Sequence, residues 1–135
     1  MKHEEKVATA DFGERYQLRN FPIAREVERR GLGTALGNSG YTTLAQAELL
    51  ADLVPLETDG LVLDVGCGCG WPGLHLAARY GCKLIGADLP LEGLVRAVDN
   101  GRDRAARSNW VCATARALPF EPEVFDAIVH ADVLC

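Results

Sequence analysis

The residues with the clearest chemical potential form one short segment, in which an acid precedes three alternating glycines. Asp64 is followed by Gly66, Gly68 and Gly70, with Cys67 between the first two glycines. Glycine has no Cβ atom, so such a turn can adopt unusual dihedral angles and bring backbone amides against a bound group. The turn joins a predicted strand to a predicted helix, whose N-terminus directs further N–H groups at the same place. We therefore predict a ligand site built largely from backbone.

Two classes of ligand fit this turn. Residues 68–73 satisfy the G-x-G-x-x-G fingerprint of dinucleotide-binding proteins, which predicts a pyrophosphate over the turn. Asp64 disfavours a pyrophosphate, because like charges about 4 Å apart repel by roughly 1 to 4 kcal/mol as the effective dielectric constant falls from that of water toward 20. S-adenosyl-L-methionine (SAM) carries an ammonium and a sulfonium, which both favour a nearby carboxylate. The acid therefore favours SAM, and an NAD(P)-dependent oxidoreductase fragment is the alternative.

A second acid lies at the end of the next predicted strand. Asp88 follows Asp64 by 24 residues, close to the spacing of about 20 residues at which an acid binds a ribose diol in nucleotide-binding folds. Two adjacent hydroxyls can donate to one carboxylate. This role serves the adenosine of either cofactor, and the same residue could instead cap the following helix. Asp88 thus predicts a nucleoside site without choosing between the two cofactors.

With these two acids in place, the chain resembles class I SAM-dependent methyltransferases. Residues 64–70 resemble their motif I, and residues 86–89 (Gly-Ala-Asp-Leu) resemble the acidic motif of their second strand. Residues 115–120 and 125–134, which contain Leu-Pro-Phe and Phe-Asp-Ala-Ile, resemble a stretch of the small-molecule methyltransferase group. Dinucleotide dehydrogenases do not usually carry that stretch. The resemblance implies SAM as the cofactor and a small molecule as the methyl acceptor.

The resemblance also implies roles for individual residues at the cofactor. Asp64 and the glycine turn would hold the methionine end of SAM, Asp88 would bind the ribose, and Leu89 would pack on the adenine. No catalytic residue is implied, because methyl transfer to a nucleophile needs mainly alignment and exclusion of water. The implied cofactor-binding residues are Asp64, Gly66, Cys67, Gly68, Gly70, Asp88, Leu89, Thr114, Ala115 and His130.

Three of these residues lie farther along the chain. The resemblance places Thr114 and Ala115 beside the adenine edge, but the family commonly has an acid where Thr114 stands. His130 falls where the family contacts the methionine portion or the acceptor, and a satisfied histidine at a strand end fits the sequence equally well. Tyr41 and Thr42 could touch the cofactor carboxylate, or serve only in helix capping.

Short apolar runs that alternate with helical segments predict the elements that position these residues. Such a pattern is typical of a parallel sheet buried on both faces, here an α/β, Rossmann-like, doubly wound sheet of about four strands. Predicted strands cover residues 61–65, 83–87, 110–113 and 125–131, and predicted helices cover residues 74–80 and 91–106.

The first part of the chain has a different pattern, which predicts an N-terminal helical cap over residues 1–57 before a SAM-binding core over residues 58–135. The first dozen residues are charged and are expected to be frayed, and residues 15–30 predict one or two amphipathic helices around Pro22. Glycines 31, 33, 37 and 40 predict a flexible connector. Thr43 and Gln46 then form a capping box that predicts a helix over residues 43–54.

Composition narrows the possible partners. A net charge of −5 and a pI near 5.1 predict no broad cationic surface, so we expect no nucleic acid as a partner. No apolar run approaches the roughly 20 residues of a membrane helix, and the polar start Met1–Glu5 lacks a signal-peptide core. Five cysteines without paired C-x2-C spacing predict reduced thiols and no metal site. We expect a cytoplasmic protein.

The complete class I fold has seven strands, whereas this chain stops at Cys135, just after its fourth predicted strand. We therefore expect a truncated product, a fragment or half of an assembly, with weak SAM binding and little turnover. The fourth strand would leave an unpaired edge, which predicts a homodimer formed through that edge or an aggregation-prone monomer. A catalytically silent SAM-binding or structural fragment is a further alternative.

Overall fold

The computed structural model describes residues 1–104 and 106–133 of the 135-residue chain. Within them, parallel strands form one sheet. The strands are β1 (Leu61–Val65), β2 (Lys83–Asp88), β3 (Ser108–Cys112) and β4 (Ala127–Val129), and the helices are α1 (His3–Leu18), α2 (Pro22–Leu32), α3 (Leu44–Leu53), α4 (Gly73–Tyr80) and α5 (Leu91–Asp103). This arrangement confirms the predicted Rossmann-like α/β fold with preceding helices.

The strand order reverses at β1, and this reversal positions the site. The chain steps outward from β1 through β2 to β3, then returns to the other side of β1 as β4. Val62 of β1 is aligned with Leu84 of β2 and with Ala127 of β4. In open α/β sheets, ligands bind in the crevice at the carboxyl ends of the strands where the order reverses. The glycine turn that follows β1 lies at this crevice.

The core forms where the apolar stripes of α3 and α4 meet the sheet. Leu74 and Leu76 of α4 are fully buried together with Val62 and Leu84 of the strands. Burial of such a leucine side chain contributes roughly 1.5 to 3 kcal/mol relative to exposure. This packing fixes the start of α4 against the ends of β1 and β2.

Several element boundaries differ from the predicted ones. β4 covers Ala127–Val129 rather than residues 125–131. Ahead of it, Phe125 packs edge-on against Phe120 at 4.9 Å, and beyond it the Asp132 carboxylate accepts the amides of Tyr41 and Thr42 instead of continuing the strand. β3 begins two residues earlier than predicted. α5 ends at Asp103, whereas the predicted helix extended to residue 106. Residue 105, which that prediction included, lies outside the described residues.

The N-terminal region is more ordered than expected. The prediction of a frayed start was wrong, because α1 begins at His3 and its Glu5 side chain accepts the amide of Lys2 at 2.8 Å. The expected flexible connector is instead a packed loop, in which residues 36–39 are buried. Thr43 caps α3 as predicted, and its hydroxyl accepts the amide of Gln46 at 3.2 Å.

Candidate functional site

The three glycines of the turn after β1 all adopt left-handed backbone conformations. Gly66, Gly68 and Gly70 have φ values of 70°, 50° and 92°, which other L-residues rarely adopt. A Cβ atom on Gly68 would lie 2.1 Å from the hydroxyl oxygen of Tyr16. Helix α1 therefore packs on the turn at a distance that only glycine permits.

Asp88 lies at the end of β2, next to this turn. Its Oδ2 accepts the amide of Gly68 at 2.6 Å, and its Oδ1 accepts the amide of Leu89 at 2.8 Å. Burial raises the pKa of this carboxyl group, and the two amides oppose that effect. Each carboxylate oxygen can accept more than one hydrogen bond, so a ribose diol could still bind there.

Asp64 lies in β1, just before the turn, where it is buried and contacts the start of α4. Its Oδ2 accepts the amide of Gly73 at 3.1 Å, and its Oδ1 has no hydrogen-bond partner among the described residues. Burial raises the pKa of this carboxyl group to about 8, the Gly73 amide opposes the rise, and the charge of Asp88 adds to it. A Cβ on Gly73 would lie 2.5 Å from the carboxylate, so packing against Asp64 explains the third glycine of the dinucleotide fingerprint.

A cleft of about 240 Å³ opens beside the glycine turn, and it brings together part of the predicted site. Of the predicted cofactor-binding residues, the cleft is lined by Gly66, Cys67, Gly68 and Asp88. Helix α1 and the loop after α2 also contribute residues to its lining. Its other lining residues are Phe12, Arg15, Tyr16, Asn38, Ser39, Gly40, Tyr41, Trp71, Ala131, Asp132 and Val133.

Two side chains of this cleft carry polar atoms that have no partner among the described residues, and neither residue was predicted from the sequence. Asn38 and Ser39 are 6% and 7% exposed, and Asn38 Nδ2 and Ser39 Oγ have no hydrogen-bond partner among the described residues. Asn38 Oδ1 accepts the amide of Gly40 at 3.0 Å, which orients the opposite Nδ2 group. Buried donors normally find an acceptor, so a pair without one in the lining of a cleft is a candidate contact for a ligand oxygen. The sequence signal that could have indicated these residues is a polar pair flanked by Gly37 and Gly40.

Two predicted adenine-edge residues lie outside the lining of the cleft. The hydroxyl of Thr114 donates to the Glu5 carboxylate of α1 at 2.9 Å. Ala115 is exposed in the turn that follows. The start of α1 therefore lies beside the end of β3. Tyr16, near the other end of α1, lies against Gly68 in the turn after β1.

The other predicted contact residues are also placed beside the cleft rather than in its lining. Gly70 is buried, and a Cβ on it would lie 2.6 Å from the Leu74 side chain. Leu89 is half-buried immediately after Asp88, and His130 is exposed after β4. Asp64, as described above, contacts the start of α4.

The loop before α3 is tied to the segment after β4 by Asp132. Its Oδ2 accepts the amides of Tyr41 and Thr42 at 3.0 and 3.1 Å, and the hydroxyl of Thr42 at 2.8 Å. Trp71 of the glycine turn donates from its indole to the carbonyl of Thr42 at 2.8 Å. Tyr41 lines the cleft, whereas the polar groups of Thr42 serve to hold the loop in place.

Burial keeps the thiols of Cys67 and Cys69 and the phenol of Tyr16 neutral. Burial raises the pKa of the Cys67 thiol and of the Tyr16 phenol, and it raises the pKa of Cys69 to about 12. These groups are therefore protonated near neutral pH and are not activated nucleophiles. Across residues 1–104 and 106–133, no group of three His, Cys, Asp or Glu side chains is arranged to hold a metal ion.

The residues of the cleft fit SAM. A carboxylate at the end of β2 suits the ribose diol, glycine backbone lies beside it, and the buried donors of Asn38 and Ser39 suit the methionine carboxylate. The third glycine of the dinucleotide fingerprint has a structural explanation, so the geometry gives no separate support to an oxidoreductase.

Comparison with known proteins identifies the family. A family model described as a methyltransferase domain matches residues 62–135, more than half of the chain. The chain is 30% identical over 95 residues to 24-methylenesterol C-methyltransferase 2 of Oryza sativa subsp. japonica, covering 69% of this chain and 26% of that protein. It is 26% identical over 98 residues to phosphoethanolamine N-methyltransferase 1 of Zea mays, covering 70% and 20%.

Solved structures agree on the fold. A Haemonchus contortus phosphoethanolamine N-methyltransferase 2, solved with phosphomonomethylethanolamine and S-adenosylhomocysteine, superposes with a TM-score of 0.66 at 23% identity. The match covers 80% of this chain and 25% of that one. The chain thus spans about a quarter of these relatives' length. On the family match and the shared fold, this chain belongs to the class I SAM-dependent methyltransferases, the family predicted from its motifs.

Proposed function

We propose that this chain binds SAM in the cleft and presents its methyl group to a small-molecule acceptor. The observation that carries the proposal is the presence, in one cleft, of the Asp88 carboxylate and the unpartnered donors of Asn38 and Ser39. The carboxylate would match the ribose diol of SAM, and the donors would match its methionine carboxylate. The relatives named above are methyltransferases of a sterol and of phosphoethanolamine, which supports a small molecule as the acceptor class.

The chain's own residues contribute binding, orientation and exclusion of water. When bound, SAM supplies a methyl carbon activated by its sulfonium for in-line displacement. Asp88 would hold the ribose, and Asn38 and Ser39 would hold the carboxylate at the other end of the cofactor. Tyr16 and Trp71, buried side chains of the lining, would keep water from the cleft. Alignment of this kind can supply much of a transfer rate.

The remaining features of the site are part of the same proposal. Asp64, Gly70, Leu89, Thr114, Ala115 and His130 would form the surroundings of the bound cofactor rather than its first contacts. Residues 1–57 would act as a cap over a core of residues 58–135. The start of α1 at Thr114 and the position of Tyr16 over Gly68 support this division.

Partners and location are proposed from charge, thiols and exposed surface. The net charge of −5 argues against nucleic acid as a partner. Cys67, Cys69, Cys82 and Cys112 are free thiols, which supports a reducing compartment such as the cytoplasm. Among the described helices, none combines the length and the apolar character needed to cross a membrane.

A homodimer is proposed from the edge of the sheet. β4 pairs with β1 on one side, and Ile128 in its centre is 63% exposed. An exposed apolar edge strand offers unpaired N–H and C=O groups to another strand. A second copy of the chain could supply that strand.

The proposed function is tested by calorimetric titration of the purified chain with S-adenosylhomocysteine and with NADH. We expect S-adenosylhomocysteine to bind and NADH to give no binding heat. Asp88→Ala should weaken S-adenosylhomocysteine binding at least about tenfold, because about 1.4 kcal/mol of hydrogen bonding to the ribose would be lost. Asp99→Ala, an exposed acid of α5, should leave the affinity unchanged.

Other results would replace the proposal. Binding of NADH without S-adenosylhomocysteine would support the oxidoreductase alternative. Absence of binding for both would support a structural fragment, and cofactor binding without methyl transfer to any acceptor would support a catalytically silent one.

A further inference from the structure

A buried glutamate of α2 organises the loop that carries the unpartnered donors. Glu28 is 3% exposed, and its carboxylate accepts three consecutive backbone amides. Its Oε1 accepts the amides of Leu36 and Asn38 at 2.9 and 3.1 Å, and its Oε2 accepts the amide of Gly37 at 2.8 Å. Three amide dipoles aimed at one carboxylate compensate the loss of its hydration. The backbone of residues 36–38 is therefore fixed from the side of α2.

The same loop is fixed from the side of α5 and the glycine turn. The side-chain amide of Asn100 donates to the carbonyl of Leu36 at 3.1 Å and to the carbonyl of Cys69 at 2.9 Å. One side chain thus links the loop to the turn that borders the cleft. Gly37 also lies against the Arg96 guanidinium, with no room for a Cβ atom between them. The position of the loop relative to the cofactor cleft is set by these contacts.

We propose that Glu28 is a positioning residue that makes the cleft selective for nucleosides carrying an amino-acid carboxylate. The inference rests on the proposed function. Glu28 engages the amides of residues 36–38, so the donors of this loop that have no partner among the described residues are the side-chain groups of Asn38 and Ser39. Asn38 belongs to the segment whose amides Glu28 accepts, and Ser39 is the next residue. Loosening this backbone removes the donors from the carboxylate but leaves Asp88 at the ribose.

The charge and both oxygens of Glu28 are required. Glu28→Gln keeps the size of the side chain but replaces one acceptor oxygen with an NH2 group, which would face a backbone N–H donor. At least one amide of the loop would lose its partner in a buried place, which costs roughly 1 to 3 kcal/mol. The loop can avoid this loss by moving toward water, away from the cleft.

The test compares two ligands that share the nucleoside and differ at the amino-acid end. S-adenosylhomocysteine carries the carboxylate, whereas 5′-methylthioadenosine lacks it. We expect Glu28→Gln to weaken S-adenosylhomocysteine binding at least about tenfold while 5′-methylthioadenosine binding changes by less than about twofold. Glu26→Gln is the matched control, because Glu26 lies on the same helix, is partly exposed and pairs with Arg29 and Arg30.

Two further variants keep the test informative if Glu28→Gln does not fold. Asn38→Ala and Ser39→Ala remove the donors directly and should reproduce the selective loss of S-adenosylhomocysteine. Equal weakening of both ligands by the folded Glu28→Gln protein, or unchanged binding of both, would overturn the inference. If Glu28→Gln does not fold, absence of the selective loss in both donor variants would overturn it. Failure of the unmodified chain to bind S-adenosylhomocysteine would instead overturn the proposed function.

Discussion

At the scale of single residues, Asp64 and Asp88 are two acids with different surroundings. Both belong to the motifs that indicated a cofactor site, and burial raises the pKa of both carboxyl groups. Asp88 has an amide on each oxygen and lines the cleft, whereas Asp64 has one amide and an unpartnered oxygen among the described residues. An acid with fewer compensating donors resists ionisation more strongly. Asp64 is therefore the better probe of how burial affects stability.

The raised pKa of Asp64 predicts a pH-dependent effect on stability. Between about pH 4 and pH 8, the folded chain holds a proton on Asp64 that the unfolded chain has released, so stability from this group falls as pH rises. Asp64→Asn removes that dependence. We expect the free energy of unfolding of Asp64→Asn, relative to the unmodified chain, to increase from pH 5 to pH 8. The increase is about 1.4 kcal/mol for each pH unit that lies between the pKa of Asp64 in the unfolded chain and its pKa in the folded chain.

Urea denaturation at pH 5 and pH 8 measures this difference. Asp103→Asn, an exposed acid at the end of α5, is the control and should show no such trend. An unchanged difference between Asp64→Asn and the unmodified chain at the two pH values would show that Asp64 ionises normally in the folded protein.

At the scale of elements, the packing of α1 on the glycine turn couples the cap to the site. Gly68→Ala would place a methyl group against the Tyr16 hydroxyl and force alanine into a φ of +50°. We expect a loss of roughly 2 kcal/mol in the free energy of unfolding, from the left-handed backbone and from the collision. Urea denaturation of Gly68→Ala measures the total.

The Tyr16→Phe background separates these two causes. It removes the hydroxyl oxygen, after which the nearest ring carbon lies 3.1 Å from the new methyl group. The loss caused by Gly68→Ala should then be smaller by at least about 0.5 kcal/mol, as expected for residues in contact. Equal losses in both backgrounds would mean that Tyr16 does not press on the turn.

Sequence patterns predicted the elements whose signals are local. The glycine turn, the capping box of Thr43 and the apolar strand β1 each follow from a few neighbouring residues, and the structure has all three. Helix α1 was not predicted at its start, because its residues are polar on most sides and its contacts come from distant residues. One such contact joins Glu5 to Thr114.

The order of the loop of residues 36–39, which carries Asn38 and Ser39, was not predicted for the same reason. Its order depends on Glu28 of α2 and Asn100 of α5, which no local pattern connects to residues 36–39. The cofactor class was predictable because Asp64 and Asp88 are fixed at the carboxyl ends of β1 and β2. The acceptor class rests on resemblance, because the described cleft carries no group that distinguishes one acceptor atom from another.

At the scale of the whole molecule, the edge of β4 predicts self-association. Ile128→Lys places a charge on this edge and should prevent pairing with a second strand. In sedimentation experiments at increasing concentration, we expect the unmodified chain to form dimers and Ile128→Lys to remain monomeric. Val95→Lys, at an exposed position of α5, should still form dimers. A dimer that persists in Ile128→Lys would place the interface elsewhere.

The site as a whole is a shared cleft between the sheet and the N-terminal helices, and a crystal structure with S-adenosylhomocysteine tests it most directly. We expect the ribose hydroxyls within about 3 Å of the Asp88 carboxylate and the ligand carboxylate at a similar distance from Asn38 Nδ2 and Ser39 Oγ. A ligand found outside this cleft, or one whose carboxylate points away from Asn38 and Ser39, would contradict the account.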